Sequence, residues 1–207
     1  MEQICATGLA TLGMLLGGGW LPQLRELLLD DGIGDSGVRG LCDGLCCSST
    51  ATSLRSLYLA SNQLGPLGAE ALAAALRRGA MPKLESLYLG DNRLGCQGLK
   101  ALAKPLRAHP TLQVLHLDDC GVGDEGVASL VDNLGKDDFK SLQQLWLDGN
   151  GLTDISCAKL VTALNAGDLP VIEELHDPGY GLGHRASQVA IEAVYAALHV
   201  RRMRNAA

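Results

Sequence analysis

Three groups of residues in this 207-residue chain have types and spacings that could do chemistry. His116 and Cys120 lie four apart, with Asp118 and Asp119 between them and Asp148 thirty residues beyond Asp118. A cysteine beside a histidine is the arrangement of an activated thiolate nucleophile. Carboxylates beside a histidine could instead gather a divalent cation. The glycines of Gly32-Ile33-Gly34-Asp35-Ser36-Gly37 and Gly121-Val122-Gly123-Asp124-Glu125-Gly126 fit G-x-G-x-x-G, which can admit a pyrophosphate to a helix N-terminus. Cys42 and Cys46 stand one helical turn apart, as a metal or redox pair would.

The frame that must position these residues is an internal repeat. Segments starting at Leu24, Leu54, Leu84, Leu112, Leu142 and Ile172 read LRELLLDDGI, LRSLYLASNQL, LESLYLGDNRL, LQVLHLDDCGV, LQQLWLDGNGL and IEELHDPGYGL, at spacings of 30, 30, 28, 30 and 30 residues. The pattern L-x-x-L-x-L-x-x-N/C-x-L is that of a leucine-rich repeat. Asn62, Asn92, Cys120 and Asn150 fill its N/C position. In each unit the alternating leucines predict a short strand with its leucines inward. An inward Asn or Cys satisfies the bend that follows, and a glycine-containing turn leads into a helix. The pairs Leu72/Leu76, Leu102/Leu106 and Leu130/Leu134 give that helix one apolar face, and Pro105 predicts a kink in the helix of Leu102 and Leu106.

This frame absorbs most of the chemistry. Both glycine motifs fall at one place in the repeat, the turn entering the helix, and no acidic residue follows about 20 positions after Gly37 to hold a ribose. Cys120 should face inward and His116 outward, which separates the pair. Asp118, Asp119 and Asp148 read more simply as a solvated acidic surface, and Cys42 and Cys46 as small apolar side chains in packing. No catalytic residue, metal site or cofactor is expected.

The expected fold is an α/β solenoid, a horseshoe with parallel strands on the concave face and helices on the convex face. It forms one domain over 1–207: a half-repeat at 1–23, five repeats over 24–171, and an atypical last repeat with a capping helix over 172–207. Residues 4–22 could pass for a signal peptide or short span. They lack a basic flank and align without gaps on residues 64–82, so they read as a half-repeat helix at 4–17 packed beside a helix near 37–47. Either this unit is a cap or the array extends further. Ser187 to Met203 should form the closing helix, with Val189, Ala190, Ala193, Val194, Ala197 and Leu198 as its apolar stripe.

On the concave face the residue between the two strand leucines points away from the core. These are Leu28, Tyr58, Tyr88, His116, Trp146 and His176, which include three of the chain's seven aromatics. Asp30, Asp31, Asp91, Asp118, Asp119 and Asp148 follow the strands, and Glu26, Glu85, Glu173 and Glu174 lie at their start. Aromatic rings are enriched at binding hot spots, so Tyr58, Tyr88, His116, Trp146, His176, Asp91, Asp118, Asp119 and Asp148 are the candidate protein-binding residues. The alternative is a ring ladder that only stabilises the sheet. A net charge of −6 opposes nucleic-acid binding and favours a partner protein with a basic surface. Seven cysteines without paired clusters suggest a reducing compartment, cytoplasmic or nuclear, and no membrane role.

The repeat ladder, together with helix halves such as Gly68-Ala69-Glu70-Ala71-Leu72-Ala73-Ala74-Ala75-Leu76, resembles the ribonuclease-inhibitor-like class of leucine-rich repeats over nearly the whole chain. That class includes ribonuclease inhibitor, the activating protein of the Ran GTPase and the repeat arrays of NOD-like receptors. The resemblance implies a non-enzymatic protein-binding role. It leaves open regulation of a small GTPase, or a scaffold part in a larger assembly.

Overall fold

A computed structural model describes residues 6–29, 32–47, 52–176 and 185–205. The elements alternate: α1 (Ala6–Gly17), β1 (Glu26–Leu28), α2 (Gly34–Cys46), β2 (Ser56–Tyr58), α3 (Pro66–Arg77), β3 (Ser86–Tyr88), α4 (Gly95–Arg107), β4 (Val114–His116), α5 (Gly123–Val131), β5 (Gln144–Trp146), α6 (Asp154–Ala166), β6 (Glu174–His176) and α7 (Gln188–Asn205). The strands form one parallel sheet in chain order. Each is three residues long and centred on one inward leucine.

Register follows from that leucine. Leu27, Leu57, Leu87, Leu115, Leu145 and Leu175 pair successively across the sheet. They and the following row, Leu29, Leu59, Leu89, Leu117 and Leu147, are buried. A one-residue slip would turn the whole row to solvent, so burial fixes the register. Leu72, Leu102, Leu130 and Leu160 of the helices close the core from the other side.

Asparagines tie each unit to the one before. Asn92 donates from Nδ2 to the carbonyls of Leu59 at 2.8 Å and Leu89 at 2.7 Å, while its Oδ1 accepts from the backbone N–H of Asn62 at 3.0 Å and Leu64 at 2.9 Å. Asn150 repeats the set on Leu117 and Leu147, and on Cys120 and Val122. These are the bend's otherwise orphaned groups, satisfied within a buried layer. Cys120 points inward as expected and donates its thiol to Leu89 O at 3.0 Å. Burial pushes that thiol up to about 12, so it is no nucleophile at neutral pH.

A helix forms at α1 and packs on α2, and another forms at α7, while residues 4 and 5 of the expected first helix lie outside the described residues. Two details differ from the sequence expectation. In α7 the buried side chains are Ile191, Val194, Ala197 and Leu198, whereas Val189 and Ala193 are exposed. Ile191 continues the i, i+3, i+7 stripe with Val194 and Leu198, and Val189 falls outside it. The helix of the fourth unit stops at Val131, so Leu134 lies beyond it. Asn133 and Phe139 turn the chain at φ of 54° and 47°, and Phe139 is buried in the core. Arg107 meets the end of the shortened helix, donating to the carbonyls of Leu130, Ser129 and Asp132. The helix containing Pro105 runs unbroken to Arg107. Proline there sits in the last turn, close to where the helix ends.

Candidate functional site

The concave surface is made by the two outward residues of each strand and the position after the strand leucines. In-register pairing aligns Tyr58 with Tyr88, Tyr88 with His116, His116 with Trp146, and Trp146 with His176. Neighbouring strands are about 4.8 Å apart, which suits the stacking distance of flat rings. The five rings form one continuous column. Tyr58 stacks on Tyr88 at 4.4 Å between centroids, Tyr88 meets His116 edge-on at 4.6 Å, and His116, Trp146 and His176 stack at 4.3 and 3.5 Å. The sequence identifies the row as outward-facing and weighs a cross-strand ring ladder as one of its two readings; the ring-on-ring contacts of that ladder are present. Its rings are half-buried, and the Trp146 Nε1–H is buried without a hydrogen-bond partner. Leu28, at the head of the row, is 63% exposed.

The column has two settings. Tyr58 and Tyr88 stand among small residues, with Ser56 and Ser86 on one side and Ala60 and Gly90 on the other. His116, Trp146 and His176 are hemmed by longer side chains: Val114, Gln144 and Glu174 on one side, Asp118 and Asp148 on the other. These small flanking residues were not singled out from the sequence. They could have been found by reading down the strand positions either side of the rings.

The carboxylates do not form one cluster. Asp118 leans over Gly90, where any Cβ would collide with it, and its Oδ1 lies 3.7 Å from His116 Nδ1. Asp119 leans the other way, over Gly149. Asp91 accepts from Ser61 Oγ at 2.9 Å. Asp91 and Asp119 adopt φ of 52° and 49° in the turn after their strands, a region aspartate tolerates better than most residues. Asp148 is half-buried at the position after β5, and Glu174 Oε2 lies 3.8 Å from His176 Nε2. Among the described residues no group of three or more His, Cys, Asp or Glu side chains is placed to hold a metal ion. Asp30, Asp31, Asp177 and Tyr180 lie outside the described residues.

Burial lowers the pKa of His116, against the opposing pull of Asp118, and the neighbouring His176 adds to the lowering. The ring is therefore neutral at physiological pH and stacks as an uncharged plane. Burial, then the adjacent Tyr88 hydroxyl, raises the pKa of Tyr58, so its O–H donor is kept. The glycine motifs serve the turn. Asp35, inside the first, accepts from Gly65 N at 2.6 Å. Asp124, inside the second, accepts from Thr153 N at 2.9 Å and Thr153 Oγ1 at 2.7 Å, and from Ser156 Oγ. Partial burial works to raise the Asp124 pKa, but these hydrogen bonds outweigh it and hold the carboxyl below its ordinary value. Both aspartates thus cap the next unit's helix, and neither motif is an open phosphate cradle.

A stack of strand–turn–helix units with a buried Asn/Cys ladder and a parallel concave sheet defines a leucine-rich-repeat solenoid, and that is the fold of this chain. The family model described as Leucine Rich repeat matches three stretches, residues 50–73, 80–103 and 108–131. Among solved structures, the chain is similar to one titled Leiomodin-1 Actin-Binding Site 2, at 16% identity and TM-score 0.53, covering 94% of this chain and 89% of that one. It is also similar to a Caenorhabditis elegans tropomodulin C-terminal domain, at 14% identity and TM-score 0.52, covering 94% of each chain. No curated protein matches the sequence. No helix among the described residues is long and apolar enough to cross a membrane.

Proposed function

We propose that this chain is a non-enzymatic protein-interaction module that takes a basic, partly apolar partner protein on its concave face. The observation that carries the reading is the five-ring column from Tyr58 to His176, half-buried beside Asp91, Asp118, Asp119 and Asp148. Ring edges and tyrosine hydroxyls offer apolar area and hydrogen bonds at low entropic cost, as binding hot spots do. The carboxylates set the sign of the partner and speed its approach. The similar leiomodin-1 structure, titled for an actin-binding site, supports a protein partner as the class of ligand. Repeat lengths of 28–30 residues support placement in the ribonuclease-inhibitor-like class.

The test is capture of partners by the wild-type chain beside Trp146→Ala and the double variant Asp118→Asn/Asp119→Asn, with a melt of each. Trp146→Ala should weaken a true concave-face partner about thirtyfold, an effect of roughly 2 kcal/mol. It also removes two ring contacts worth about 0.5–1.5 kcal/mol each, so some loss of stability is expected. The double variant should chiefly slow association and flatten its salt dependence. A partner bound equally by all three proteins would sink the concave site and move attention to the helices.

A further inference from the structure

The middle of the concave face is bounded on every side by described residues, and one carboxylate there is set apart from its neighbours. Glu85 is held by Arg55, and Asp91 by Ser61 Oγ at 2.9 Å. Asp118 has no lysine, arginine or hydroxyl partner, and its Oδ1 is buried without a hydrogen bond. Among the described residues no other half-buried carboxylate has such an oxygen. His116 Nδ1, at 3.7 Å, is too far to donate, and its ring is neutral at physiological pH. A buried carboxylate oxygen without a donor is costly, so a donor from outside is favoured there. Asp118 also stands at the one irregular joint of the ring column. Tyr88 and His116 meet at 61°, whereas the other neighbouring ring planes lie within 20° of parallel. Planes that diverge leave a wedge between the rings. Gly90 and Asp118 follow Tyr88 and His116 by two residues each, so they flank this joint on one side. Asp118 leans over Gly90 into space that a Cβ would take. Its side chain is 32% exposed, so a partner can reach the carboxylate, and the soft carboxyl torsion can present either oxygen.

We infer that the joint between Tyr88 and His116 is a seat for an arginine of the partner protein, its guanidinium paired with the Asp118 carboxylate and laid against the Tyr88 ring. The inference rests on the concave-face reading and adds the residue type that the face recognises. A guanidinium is flat and stays charged when desolvated. It donates two parallel N–H groups to one carboxylate and packs against an aromatic ring. A lysine ammonium supplies the charge without the plane or the fork. Attraction to the face as a whole asks only that loss of the Asp118 charge slow association. The seat asks for a loss of affinity as well.

The probe is the peptide acetyl-Gly-Leu-Arg-Leu-Gly-amide, beside versions with lysine or citrulline in place of the arginine. Each is titrated to about 10 mM against the isotope-labelled intact chain, and nuclear magnetic resonance reads the signals of the Gly90 N–H and the Trp146 Nε1–H. The arginine peptide should bind and shift both signals. The lysine version should bind about fivefold more weakly, and the citrulline version about tenfold. Asp118→Asn should weaken the arginine peptide about tenfold, and Gly90→Ala should do the same by displacing the carboxylate. Asp119→Asn should leave it unchanged, because that carboxylate leans over Gly149 instead. Melts check that each variant folds. Shifts on the concave face with arginine and lysine bound alike, or with Asp118→Asn without effect, overturn the seat and leave the concave-face reading standing. Citrulline bound as well as arginine also overturns it, in favour of a neutral hydrogen-bonding group. Shifts confined to the helices overturn both the seat and that reading, and no binding at the top concentration overturns the seat.

Discussion

The contacts α1–α2 and α5–α6 are built from the same repeat in opposite ways. Between α1 and α2, glycines face each other: Gly13 and Gly17 on one helix, Gly40 and Gly44 on the other. A Cβ on Gly17 would lie 2.7 Å from Leu45 O, and one on Gly44 would collide with Ala10 O and lie 2.7 Å from Met14 N. The backbones touch, and dispersion between main chains replaces side-chain packing. Between α5 and α6 the helix is a turn short, and a groove of about 300 Å³ remains, lined by Val131, Asp132, Asn133, Ala158, Lys159 and Thr162. Lys159 reaches across it to Asp132 at 2.6 Å. The strand side spaces every unit alike, so the helix side absorbs all variation in what the units contain. Close approach needs glycine on both helices; a missing turn leaves a groove, and the loop that follows packs into the core through Phe139.

Phe139→Ala should therefore be the most damaging single change, costing about 3–5 kcal/mol because it empties a buried site beside an already shortened helix. Urea unfolding measures it, and a loss under about 1 kcal/mol would mean the loop can close without the ring. At the other contact the sign of an added methyl is the question. Gly44→Ala improves helix propensity by about 1 kcal/mol, yet it drives a Cβ into main-chain atoms, where overpacking costs about 1–3 kcal/mol. A net loss near 1–2 kcal/mol is expected in the same titration, and a gain would show that α1 can move away freely.

Acid provides the mildest test, and it acts between the two regions. Burial lowers the pKa of His109, against the hydrogen bond to Met81 O, and burial likewise lowers that of His116. The unfolded chain then binds more protons than the folded one between the ordinary histidine value near 6.5 and the lowered folded values. Stability is full above that window and falls as pH drops through it. His109→Gln should flatten the slope, read from melts between pH 7.5 and 5. No α1–α2 side chain titrates this way, so hydrogen exchange in that helix pair should change last.

What the sequence reveals follows from periodicity. Spacing of the leucines is enough to place every strand and to pair Leu27 through Leu175, because burial of one face leaves a single register. The row from Tyr58 to His176 is legible for the same reason. A ring ladder is legible too, but not which pairs stack and which meet edge-on, since the rotamers depend on neighbours one whole repeat away. Leu134 fits the helical period and still lies outside α5, because the chain leaves the helix at an extended Asp132 and turns left-handed at Asn133. The leaning of Asp118 and Asp119 in opposite directions depends on Gly90 and Gly149, which lie on different flanking units. Nothing within one repeat encodes such relations.

The asparagine ladder has a mechanical consequence. Each rung clamps one unit to its predecessor through an amide that both donates and accepts, so the array behaves as springs joined in series. At Cys120 the clamp is reduced to a thiol, whose S–H is a weaker donor than an amide N–H. The next joint along is the grooved contact of α5 and α6. Compliance therefore concentrates in residues 112–141. In a single-molecule stretching experiment with handles at the two ends, the first lengthening step should come from that unit, and Cys120→Asn should raise the force at which it occurs.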